Sequence, residues 1–193
     1  MISSIFLSTI LPVLVMDVSK IEMIDFPEKI GNERFMRLIS QDGNVEYYQK
    51  PRQKQGILFV GRDYECFDTK EQIAFAFNPT VDVTTASKAL LKLTSEGAKE
   101  VNADTNVLYS HFQIWIDKDG SGSCTFDEVY SISELGIKIS LDEAPNLELS
   151  YGRYWSVDSV MSYTYEYVNN YGERTTSPPQ QALSVTLESI EID

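Results

Sequence analysis

Histidine is almost missing from this sequence, cysteine is scarce, and basic residues are heavily outnumbered. Each shortage removes a class of function. The one histidine, His111, stands beside Phe112, and a lone imidazole in an apolar setting reads as packed or exposed. Neither a Ser-His-Asp nor a Cys-His arrangement can be assembled around it. Two cysteines, Cys66 and Cys124, are too few for a disulfide-stapled scaffold. An oxidising compartment would allow one bridge, but the favoured expectation is two free thiols serving as small buried hydrophobes. Sixteen basic residues against 29 acidic ones give a net charge of −13, which repels phosphate backbones and makes nucleic acid a poor partner.

Other signals are missing as well. The phosphate-cradling GxxxxGK(S/T) and the dinucleotide GxGxxG patterns do not occur. There is no internal repeat and no low-complexity linker. The apolar opening MISSIFLSTILPVLVM is interrupted by Ser8, Thr9 and Pro12, so it is too short to span a bilayer and membrane insertion is not expected. It also lacks the preceding Lys or Arg and the small-x-small site of a signal peptide. The expectation is a buried strand entering the core.

What is present suits a folded domain. The chain has 193 residues, 42% hydrophobic and 23% charged, enough to bury a core and ordinary for a single domain. A sub-boundary is expected near 142–150, before a β-rich end. Phe35–Ser40 and Val45–Gln49 flank Asp42-Gly43, a hairpin signal, and Ile57–Val60 is a compact apolar strand. The middle reads as helical. Thr85 or Ser87 caps a short helix through Leu93, and Asp104 caps another that carries Leu108, Tyr109, Phe112 and Ile116 on one face. The alternation of Phe112, Ile114 and Ile116 permits a strand there too, with the helix preferred. Ser131 to Glu134 fits a capping box, with Gly136 ending a brief helix. Beyond it, Tyr163, Tyr165 and Tyr167 alternate as one sheet face, and a slip in the alternation at Ser189 suggests a bulge or an end. The fold class expected is α+β: N-terminal hairpins, short central helices and a β-rich C-terminal part.

Residues 117–128 read DKDGSGSCTFDE. Calcium takes six to eight hard oxygen ligands, and a twelve-residue loop can wrap them around one ion. Asp117, Asp119 and Ser121 occupy loop positions one, three and five. Gly122 at six allows the sharp bend, Ser123 at seven offers its carbonyl, Thr125 at nine binds directly or through water, and Glu128 at twelve closes the site with both oxygens. Such a pattern arises by chance in about one chain per thousand of this length. With three carboxylates and no second loop to pair with, the expected affinity is weak to middling, on the order of 10⁻⁵ to 10⁻³ M. A site of that strength fills outside cells and stays mostly empty in resting cytosol.

The run from Phe112 to Leu141 resembles a segment of large bacterial secreted calcium-binding proteins related to the repeat-in-toxin haemolysin type. Trp115, Asp117, Asp119, Glu128, Glu134, Leu135, Gly136 and Ile137 match that family's pattern, and Asp127 stands where it often has Gly. Residues 11–26 and 56–75 resemble its further strand-and-loop elements more faintly. There Gly61, Cys66 and Gln72 replace loop residues, so no second calcium site is expected. The resemblance implies a secreted or cell-surface module whose metal organises structure without doing chemistry.

The expected function is therefore a noncatalytic, calcium-stabilised extracellular module for structure or adhesion, with a homo-oligomeric surface assembly as the form it would build. The tyrosine-rich stretch containing Tyr151, Tyr154, Trp155 and Tyr171 is a candidate protein or glycan contact. Two alternatives carry different expectations: a calcium-triggered sensor, and a hydrolase with an unrecognised carboxylate pair.

Overall fold

Leu11 to Met16 is a run of six residues with no polar face to turn to solvent, so a strand made from it needs cover on both sides. The computed structural model describes residues 10–28, 31–40, 42–61, 64–67, 69–73, 85–142 and 155–190, and within it all six of these side chains are buried. In chain order the strands are β1 (Ile10–Asp17), β2 (Phe35–Ile39), β3 (Val45–Gln49), β4 (Gln55–Val60), β5 (Glu100–Val101), β6 (Phe112–Trp115), β7 (Val129–Ser131), β8 (Lys138–Ser140), β9 (Trp155–Thr164), β10 (Glu166–Val168), β11 (Arg174–Thr176) and β12 (Gln180–Ile190). Two helices are described, α1 (Lys70–Ile73) and α2 (Ala86–Leu93). The main sheet is antiparallel, ordered β5-β8-β9-β12-β1-β4-β6-β7, and the β2–β3 hairpin joins it through β12; β10 and β11 pair separately.

Alternation along β1 sends its side chains into two cores. Leu14 and Met16 pack with Leu58, Ile114, Met161 and Tyr163 under α2, which contributes Ala86, Ala89 and Leu90. Val13 and Val15 face the other way, toward Ile57, Phe59, Trp115 and Val185, and the hairpin covers them with Met36, Leu38 and Tyr48. Thr85 caps α2 as expected, its hydroxyl accepting the Lys88 N–H.

The α+β expectation is wrong. Strand accounts for 44% of the structure and helix for 11%, so the fold is mostly antiparallel β. The helix expected from Asp104 to Ile116 is a 3₁₀ turn at Tyr109–His111 followed by β6. All four β6 side chains are buried, and the strand lies between β4 and β7, with Ile114 opposite Leu58 and Tyr130. A helix would satisfy its own backbone but leave those two neighbours unpaired, so sheet pairing overrides the 3.6-residue spacing. The brief helix at Ser131–Leu135 is also missing. Ser131 spends its hydroxyl on Ser133, and the chain makes a compact turn in which Ile137 N–H bonds back to the Ile132 carbonyl.

The slip at Ser189 has a different cause from the one expected. β12 runs through to Ile190, and at Ser189 and Ile190 it pairs with β3; the register shift lies at Ser184/Val185, against β9. Tyr163 and Tyr165 are core residues whose hydroxyls donate to the Asp17 and Lys20 carbonyls, whereas Tyr171 is 88% exposed. Tyr151, Tyr154 and the stretch 143–150 lie outside the described residues, although β8 and β9 on either side of that stretch pair with each other. No helix among the described residues is long and apolar enough to cross a membrane.

Candidate metal centre

The acidic loop is the connection of a β-hairpin. Trp115 pairs with Val129, and the Ile116 N–H donates to the Glu128 carbonyl at 3.0 Å, so residues 117–128 leave and rejoin the sheet at one place. Short strands, not helices, hold the two ends together.

Two glycines let the loop fold in on itself against a neighbouring segment. Gly120 and Gly122 have φ of +74° and +73°, which any residue with a Cβ resists. A Cβ on Gly120 would lie 2.5 Å from the Gly31 carbonyl oxygen, and one on Gly122 would lie 2.2 Å from that of Phe35. The approach is fixed by hydrogen bonds from Gly31 N–H to the Asp119 carbonyl (2.6 Å) and from Glu33 N–H to the Gly120 carbonyl (3.2 Å). The bend expected at Gly122 is therefore present. Its partner, the segment just before β2, has no signal in the loop's own sequence.

Of the six expected ligands, the structure brings three together. Asp117, Asp119 and Glu128 each present an oxygen, and these oxygens lie within 4.8 Å of one another. Two oxygens bound to one calcium at about 2.4 Å can be no more than about 4.8 Å apart. The cluster thus fits a single ion without moving its backbone, and it is able to hold a metal.

The remaining three expected ligands are turned to local work. Ser121 donates its hydroxyl to the Ser123 carbonyl and receives the Ser123 N–H, while Thr125 donates its hydroxyl to Asp127.

The carboxylates are already well supplied with donors. Glu128 is buried, its Oε1 accepting the Lys118 and Asp119 N–H groups and its Oε2 those of Trp115 Nε1 and Thr125. Asp117 is buried as well; its Oδ1 accepts the Gly122 N–H at 3.2 Å and its Oδ2 accepts the Lys50 ammonium. Burial pushes the Asp119 carboxyl up, but hydrogen bonds from Ser121, a contact with Asp117 and the Lys50 charge outweigh it and hold the group below the usual carboxylate range. This favours the charged form of Asp119.

Three contributors escaped sequence reasoning. Lys50 lies 67 residues from Asp117 and nothing local marks it. Asp25, from the turns after β1, joins Asp119, Thr125, Asp127 and Glu128 in lining an open cleft of about 390 Å³, adding a carboxylate from outside the loop. The third is Cys66.

The free-thiol expectation fails, because Cys66 and Cys124 form a disulfide with Cα atoms 5.6 Å apart. The bridge ties loop position eight to the segment after β4. There Phe67 packs edge-on against Trp115 and Phe59, at 5.2 and 5.3 Å between ring centroids. Sequence spacing could not foresee a pairing that depends on two distant loops meeting over one core.

No family model matches the chain, and no curated protein matches it.

Proposed function

We propose that the chain is a noncatalytic structural module of the cell exterior, braced by calcium bound between Asp117, Asp119 and Glu128. The observation that carries this reading is the convergence of carboxylates from loop positions one, three and twelve within the reach of one ion. The donors are all hard oxygens, with neither imidazole nor thiolate among them, which suits calcium over zinc or copper. A weak site is useful where calcium is plentiful, and the disulfide at the loop suits an oxidising environment. Secretion and adhesion follow from the resemblance to secreted calcium-binding proteins, as does assembly with further copies at a surface.

Strand flanks favour bracing over signalling. A sensor opens a helix pair when the ion arrives, whereas this loop is flanked by β6 and β7, which are paired in a sheet, with only a 3₁₀ turn at Phe126–Glu128 between them.

The test is melting by calorimetry with calcium and with chelator. At free calcium about a hundredfold above Kd, mass action adds about 2.7 kcal/mol, which for a chain of this size raises Tm by roughly 5–10 °C. Asp119→Asn should lower the rise because one ligand charge is lost, and the fold should tolerate it because the side chain is exposed and the amide oxygen can still accept the Ser121 N–H. Equal melting in calcium and chelator for the native chain would end the proposal.

A further inference from the structure

We propose that Lys50 is the resident cation of the metal-free loop, and that calcium enters by displacing its ammonium from Asp117. The inference rests on the calcium reading above and adds what controls that site.

Lys50 follows directly on β3, and its backbone N–H donates to the Arg34 carbonyl, closing the base of the β2–β3 hairpin. From there the side chain crosses to the loop and places Nζ on Asp117 Oδ2. Both side chains are withdrawn from solvent, 13% and 5% exposed. Lys118, the cation within the loop itself, lines the cleft beside Asp119 and Glu128 and sets its ammonium over the face of Tyr130, 5.6 Å from the ring centroid. Two further ion pairs join Lys70 to Glu46 and Arg174 to Glu166, none of them a loop residue. Lys50 is thus a buried basic side chain bonded directly to a carboxylate of the cluster.

Its place conflicts with the metal's. Asp117 occupies the first loop position, and its Oδ1 is already committed to Gly122 N–H. An ion that takes the other oxygen, Oδ2, or both together, meets the oxygen that Lys50 holds. An ammonium sharing that oxygen would stand within about 5 Å of a divalent charge, and even with water-like screening the repulsion weakens binding on the order of tenfold. The two cations therefore exclude each other.

Lys50 has a positive role while the metal is absent. Three carboxylates confined within 4.8 Å of one another repel each other, and the ammonium offsets part of that repulsion and keeps the loop folded against residues 31–35. Calcium then meets a preformed cage. The cost of that arrangement is affinity, because each binding event must first release the lysine.

The lysine's two roles predict opposite signs for one substitution. Lys50→Met should melt earlier than the native chain in chelator, because the carboxylates lose their counter-charge. The same variant should bind calcium on the order of tenfold more tightly in titration calorimetry, while Lys50→Arg stays near the native affinity. A second measurement avoids dependence on a variant's folding: acylation of lysines in the native chain, read by mass spectrometry. Lys50 should label slowly in chelator and faster with calcium. Unchanged or weaker calcium binding in Lys50→Met, together with labelling of Lys50 that ignores calcium, would overturn the displacement while leaving the calcium site standing. If neither the native chain nor Lys50→Met takes up calcium, the calcium reading fails and this inference goes with it.

Discussion

Glu128→Gln is expected to weaken calcium binding at least about a hundredfold while leaving the chelated protein within about 2 kcal/mol of the native stability. The first effect is electrostatic. A divalent ion about 2.4 Å from a carboxylate oxygen gains about 3.5 kcal/mol from that charge even with the dielectric of water, which corresponds to more than two decades in Kd. The second effect is a near-cancellation. Glutamine can accept at one oxygen only, so some of the four N–H donors now held by Glu128 face an NH₂ group, at about 1–3 kcal/mol each. Against this, removing one of three clustered negative charges relieves repulsion of similar size, about 3 kcal/mol per pair at an effective dielectric of 20. Calcium titration and chelated melting of the same sample separate the two. If Glu128→Gln binds as the native chain does, Glu128 is a backbone clamp only, and the ion sits in the cleft among Asp25, Asp119 and Asp127.

Opening the Cys66–Cys124 bridge should have the largest effect on stability. The cysteines are 58 residues apart in sequence, and closing a loop of about that length removes about 4 kcal/mol of chain entropy from the unfolded state. Reduction, or the double replacement of Cys66 and Cys124 by Ser, should lower guanidinium stability by about that amount. Calcium affinity should fall as well, because Cys124 lies between the expected ligands Ser123 and Thr125, and freeing it makes the loop pay more entropy on binding. A loss below about 1 kcal/mol would mean that the 64–67 segment stays on the Trp115 face without the bridge.

Bracing would act at a defined place in the fold. The loop leaves the sheet between β6 and β7, touches the segment ahead of β2 through Gly31 and Glu33, and is tied to the segment after β4 by the disulfide. An ion bound there would hold three stretches of chain that are far apart in sequence. This is how one weak site could stiffen a whole edge of the sheet.

Much of this was legible in the residues because it depends on local chemistry. The hairpin at Asp42-Gly43, the cap at Thr85, a buried strand in the apolar opening (described from Ile10 to Asp17) and the bend at Gly122 each follow from the backbone preferences or the apolar pattern of a few neighbours. The carboxylates at loop positions one, three and twelve were equally plain. The error between Asp104 and Ile116 was of another kind. Phe112 and Ile116 satisfy a helical spacing and a strand alternation together, and only the presence of β4 and β7 on either side chooses between them.

Alone, the sequence determined the anionic character of the chain, the position and frame of the loop, and the three carboxylates that converge in it, since charge and backbone geometry within a twelve-residue window need no distant partner. Only the tertiary structure decided that the loop hangs from strands, that Cys66 meets Cys124, and that Lys50 lies across Asp117. Those contacts join residues tens of positions apart, and they arise because two cores on opposite faces of one sheet must both be closed. No short window of sequence carries that requirement.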